Sequence, residues 1–130
     1  MGAQLNHTIV SSKDPQASAR FLAQILGLPP PQRFMHFHVV ELENGVSLDY
    51  LAAGSEPIAP QHYAFLVSEA EFDAALARVR KLTHEIWADP AQQEPGRINH
   101  HFGGRGVYFE DPDGHLLELI TKPYGDPATL

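Results

Sequence analysis

The chain has 130 residues, 43% of them apolar and 19% charged, with a formal net charge of −7. That composition suits one domain with its own core and disfavours nucleic acid or an anionic membrane as the main partner. Cysteine is absent, which excludes disulfides, thiolate metal sites and cysteine nucleophiles.

No apolar run approaches the ~20 residues needed to span a bilayer. The opening MGAQLNHTIV lacks the basic and long apolar regions of a signal peptide, so a cytoplasmic protein is expected. LNHTIVSS, from Leu5, is short, alternating and β-branched, and predicts a strand. Asp14 offers an N-cap with Pro15 at the first helical position. Ala17, Phe21, Leu22, Ile25 and Leu26 then form a helical apolar stripe, which Gly27 ends. Pro29 to Pro31 block any continuation. FMHFHVVEL predicts a second strand, Glu43-Asn44-Gly45 a turn, and VSLDYLA a returning strand. AAGSEPIAP reads as a linker.

The pattern then starts again. QHYAFLVS, from Gln61, predicts a strand; Ser68 and Glu71 have the spacing of a capping box. Phe72, Ala75, Leu76, Val79 and Leu82 give the apolar stripe of a second helix. EIWA predicts a short strand, and residues 89–104 a long loop rich in Pro, Gly and Gln, of a length that is often a functional lid. GVYFED and HLLELIT predict two strands joined by the turn Asp111-Pro112-Asp113-Gly114, with an irregular tail from Lys122. The chain thus reads as one domain of two similar halves, about 4–53 and about 60–123, each strand, helix, strands.

Eight histidines are unusual, because imidazole is both the commonest neutral metal ligand and the usual acid–base group near pH 7. Strand parity puts Leu5, His7 and Ile9 on one face, His62, Ala64 and Leu66 on one face, and Leu116, Glu118 and Ile120 on one face. If the greasier faces pack on the helices, His7, His62 and Glu118 point to the other side. Two imidazoles and a carboxylate there make a facial triad with open positions. Glu118 in so apolar a strand needs a cation in any case.

LNHTIV with DPQASARFLAQILGL, QHYAFLVSEAEFDAALARV and GVYFEDPDGHLLELIT together resemble the vicinal oxygen chelate superfamily, which includes glyoxalases, fosfomycin-modifying enzymes, extradiol dioxygenases and bleomycin-resistance proteins. The resemblance spans nearly the whole chain. It implies an α+β fold of two βαβββ modules, their mixed sheet curved around a metal, and a homodimer. It also implies one divalent ion (Fe, Mn, Ni or Zn) on His7, His62 and Glu118, with no organic cofactor, and a small-molecule substrate bound through adjacent oxygens.

Asn99, His101, Val107-Tyr108, Asp111-Pro112-Asp113-Gly114 and Glu118 follow the dioxygenase branch's extended pattern, which implies that His101 and Tyr108 hydrogen-bond the substrate. The chain departs from that branch in having no histidine on VSLDYLA. Asp49 there becomes the candidate base, with His36 or His38 on the neighbouring strand as substitutes. A ring-cleavage-dioxygenase-like activity is expected. A glyoxalase-like isomerase or lyase is the next alternative, followed by a thiol transferase. The transferase pattern is weaker, because Ile9 stands where those enzymes have Thr and Arg97, Arg105 and Lys122 match no motif position. Sequestration of a drug without chemistry is the remaining alternative.

Overall fold

A computed structural model of the protein describes residues 2–83 and 85–125. Contacts divide the chain into two units, the first through Ala59 and the second from Pro60. The element order is β1 (His7–Ser12), α1 (Pro15–Leu26), β2 (Gln32–Phe34), β3 (Phe37–Glu41), β4 (Ser47–Ala52), β5 (His62–Leu66), α2 (Glu69–Leu82), β6 (Gly106–Glu110) and β7 (Leu116–Ile120). Among the described residues these form two mixed sheets, one of four strands and one of three, and the fold class is α+β.

In the first unit the sheet order is β1-β4-β3-β2, with β1 and β4 parallel and the other pairs antiparallel. The α1 helix begins as its sequence dictates: Asp14 accepts the Ala17 N–H at 3.1 Å and Pro15 follows. It ends at Gly27, whose φ of 67° is easy only without a Cβ. Its buried face is Ser18, Ala19, Leu22, Ala23 and Ile25, against Val10, Val40, Leu48 and Tyr50 of the sheet. Each fully buried large side chain contributes about 1.5–3 kcal/mol. Ala17 is exposed, and small residues take its place in the stripe, with Ser18 hydrogen-bonded to buried Ser12 at 3.0 Å.

One predicted strand is two. FMHFHVVEL turns back at Met35-His36, so that Phe34 pairs with Phe37 across a tight hairpin. Met35 takes the positive φ of 54° that this reversal demands. Hydrophobic alternation runs straight through the turn and hides it.

In the second unit the order is β5-β7-β6, with β5 and β7 parallel. The capping box forms as spaced, with the Glu71 N–H on Ser68 Oγ at 3.1 Å and the Ser68 N–H on Glu71 Oε1 at 3.2 Å. Phe72, Ala75, Leu76 and Val79 are buried, whereas Leu82 at the helix end is 46% exposed. EIWA is not a strand of its own. Trp87 makes only isolated bridges, exchanging N–H···O bonds with Tyr108 at 2.9 and 2.8 Å.

The loop 89–104 is tied down: Asp89 accepts the N–H groups of Gln93 and Glu94, and Asn99 exchanges two backbone bonds with Gly106. A Cβ on Gly106 would stand 2.8 Å from Asn99 Oδ1, so this approach needs glycine. Residues 122–125 of the tail are in neither helix nor strand, and its remainder lies outside the described residues. No helix among the described residues is long and apolar enough to cross a membrane.

Candidate metal and substrate site

Leu117 and Leu119 of β7 face the core, and Glu118 between them points to the opposite face. Its Cα partners are Ala64 of β5 and Tyr108 of β6. Glu118 is nonetheless only 1% exposed, because His62 and Tyr124 close over it. His62 stands two residues before Ala64, on the same face. Its Nε2 is 3.1 Å from Glu118 Oε1 and its Nδ1 is 3.0 Å from the Leu116 carbonyl.

A carbonyl can only accept, so Nδ1 carries hydrogen. In the neutral ring Nε2 then turns a lone pair toward a carboxylate oxygen. That contact is stable only with a proton or a metal ion between the two. A ring N–H held by a backbone carbonyl is also how metal-binding histidines are oriented. Two donors bound side by side at about 2.1 Å from one ion stand about 3 Å apart, close to the spacing here. The pair therefore fits a divalent cation.

Two tyrosines complete this cluster. Tyr124 Oη lies 2.8 Å from Glu118 Oε2 and 3.0 Å from Oε1, and 3.4 Å from Tyr108 Oη. The Tyr108 ring is stacked at 6.0 Å from that of His62. Burial, then its hydrogen bonds with Tyr124 and Glu118, push the Tyr108 hydroxyl well above the usual phenol range. Tyr108 is thus a donor, not a base, at neutral pH. Burial raises Tyr124 as well. Tyr124 was not legible in the sequence, where it lies in a polar tail with no periodic pattern.

The first unit carries its own hollow, about 430 Å³, on the sheet face away from α1. Ile9, Phe34, Phe37 and Val39 supply its apolar lining, and His7, Ser47, Asp49 and Arg33 its polar groups. His7 pairs in register with Ser47, and Ile9 with Asp49, so His7 and Asp49 share this face as parity predicts. His7 Nδ1 is 2.7 Å from Asn6 Oδ1. Ser47 Oγ donates to Asp49 Oδ1 at 2.8 Å. His38 alternates to the other face of β3, and His36 sits in the hairpin turn; neither lines the hollow.

His101 lies exposed in a short 3-10 turn, His101–Gly103, its ring 6.4 Å from Phe102. Phe102 in turn lies 5.5 Å from the Tyr124 ring. Arg105 is committed elsewhere: it donates to Glu69 at 2.8 Å and Asp73 at 2.7 Å and covers the Phe72 ring at 4.5 Å.

Asp111, Asp113 and His115 also bring ligand atoms within 4.8 Å of one another. Asp111 Oδ1 there accepts the N–H groups of Asp113 and His115, both at 2.9 Å, which builds the turn. Asp111 Oδ2 is buried without a hydrogen bond, and burial raises the Asp111 carboxyl. His115 Nδ1, however, accepts the Gln61 N–H at 3.0 Å. Its lone pair is used, and the other nitrogen of the neutral ring holds the hydrogen. This is the opposite tautomer to that of His62, and it leaves no ring nitrogen free for a metal.

The first unit is a βαβββ module, and the second repeats it with the isolated bridges of Trp87 where a further strand would pair; together they define an α+β protein. The chain belongs to the glyoxalase/bleomycin resistance protein/dioxygenase superfamily, the vicinal oxygen chelate proteins, whose family model matches residues 4–119. The glutathione transferase FosA of Serratia marcescens is 31% identical over 121 residues, 88% of this chain and 78% of that one. Two solved structures, the oxidases ChaP-H1 and ChaP-H2, are 55% and 57% identical. They cover 96% and 97% of this chain and 100% and 98% of their own, with TM-scores of 0.92 and 0.93.

Proposed function

We propose that the protein is a divalent-metal-dependent enzyme that chelates two adjacent oxygens of a small organic substrate, and that its reaction is of the ring-cleavage-dioxygenase kind. The observation that carries this is the His62–Glu118 pair, an imidazole nitrogen and a buried carboxylate oxygen 3.1 Å apart. The family resemblance adds His7 as third ligand. When bound, the cation supplies Lewis acidity and a template for the two substrate oxygens.

The chain's own groups divide the remaining work. Asp49, held by the Ser47 hydroxyl, accepts the proton of a substrate hydroxyl. Tyr108, kept protonated by burial, donates to a substrate oxygen, and His101 is assigned to orientation by the same resemblance. The apolar aromatic lining beside His7 and Asp49 suits a ring better than a compact polyanion. Identity above one half with two proteins named as oxidases, over nearly the full chain, supports oxidative chemistry.

The likeness to a glutathione transferase favours a second reading, thiol transfer. Against it, Arg105 is spent on Glu69 and Asp73. Protein reconstituted with Fe(II) without air, then given catechols and oxygen, is expected to consume oxygen. Oxygen uptake no faster than with Glu118→Ala sinks the oxidative reading. Thiol loss with fosfomycin, or hemithioacetal turnover with Ni(II) or Zn(II), would instead point to the transferase or lyase. Light scattering tests the expected pairing of two copies.

A further inference from the structure

We propose that Tyr124, from the segment after β7, is a positioning residue that holds the Glu118 carboxylate so that Oε1 and His62 Nε2 face the metal together. The proposal rests on the reading of His62 and Glu118 as ligands. Glu118 is buried, so its lone pairs must be met by protein groups. Oε1 is approached by His62 at 3.1 Å and by the Tyr124 hydroxyl at 3.0 Å, and Oε2 by the same hydroxyl at the shorter 2.8 Å. One phenol has one hydrogen, and the shorter contact directs it to Oε2. Oε1 is thereby left for the ion, and the carboxylate plane cannot rotate without breaking the bond.

Phe102 supplies the buttress. Its ring lies 5.5 Å from that of Tyr124, yet its backbone sits at φ 57°, ψ 27°, a left-handed conformation that costs a side-chain-bearing residue of order 1 kcal/mol. A glycine would relieve that strain and lose the ring contact. A bulky aromatic is therefore placed where the backbone favours none, against the residue that orients Glu118. Hydrogen-bond partners of metal ligands typically alter affinity about 10–100-fold when removed.

The test is titration with Co(II) alone, followed by visible absorption, for wild type, Tyr124→Phe, Phe102→Leu, Glu118→Ala and His62→Ala. Unfolding midpoints in a chelator are measured in parallel. Tyr124→Phe is expected to bind Co(II) about 10-fold or more weakly, with a changed ligand-field spectrum and an unchanged midpoint. Phe102→Leu is expected to weaken binding several-fold, and it carries the test should Tyr124→Phe fail to fold. Wild-type affinity and spectrum in both variants, with Glu118→Ala and His62→Ala defective, overturns the role of Tyr124 and leaves the metal reading standing. Equal Co(II) binding by wild type, Glu118→Ala and His62→Ala, or none by wild type, overturns both.

Discussion

His62 and His115 lie close to the same parallel strand pair and are held in opposite tautomers by what faces Nδ1: a carbonyl for His62, an N–H for His115. That single difference leaves the His62 Nε2 facing Glu118 and commits the His115 ring to the backbone just ahead of β5. It also bears on Glu118. Glu118→Gln keeps the shape of the side chain and an acceptor for Tyr124 but removes the charge that draws a cation. The variant is expected to lose Co(II) binding, measured by visible absorption, while still unfolding cooperatively in urea with chelator present. Conversely, Asp111→Ala strands two N–H groups in a buried turn and is expected to cost about 1–3 kcal/mol in the same assay. Parity alone put His62 and Glu118 on one face. No local pattern pointed to Tyr124, because its partner lies across a turn in the tail, where contacts have no period.

At the scale of elements, caps and stripes decide where helices start and which face they bury. Leu22 and Leu82 look alike as members of a stripe. In the fold Leu22 has no exposure and Leu82 lies at the end of α2, 46% exposed. Leu22→Ala is therefore expected to cost about 2–5 kcal/mol and Leu82→Ala under about 0.5 kcal/mol, by urea unfolding of both variants. Ser68→Ala removes the acceptor of the Glu71 N–H and is expected to cost about 1 kcal/mol. Strand ends are harder to read than helix ends. Alternation continued through Met35-His36, where only the backbone reversal breaks the strand. EIWA has strand composition, but among its own residues only Trp87 finds a bridge partner. A strand exists by pairing, and pairing is not a local property.

For the molecule as a whole, the acidic balance makes carboxylates the main source of pH dependence. Arg105 joins the β6 approach to α2 through Glu69 and Asp73. The Glu69 carboxyl is lowered by Thr121 first and then by Arg105, and that of Asp73 by Arg105. Groups lowered in the folded state add stability above their unfolded values, near pH 4, and lose it as pH falls through the folded values. The stability gap between wild type and Arg105→Gln is thus expected to be full at pH 7 and to shrink between about pH 5 and pH 3. A gap that does not narrow with acid would assign Arg105's contribution to its packing on Phe72 alone.

Local chemistry in the sequence determined the two helices with their caps, the repeat of strand, helix and strands, and the faces on which His7, His62, Asp49 and Glu118 lie. These follow from side-chain period and capping geometry, which depend on neighbours a few residues apart. Only the tertiary structure decided that Glu118 is buried, that His62 presents Nε2 to it, that Tyr124 closes over it and that Arg105 is spent on α2. Each of these depends on groups brought together from 6 to 56 residues apart, and no periodicity encodes a contact at that range.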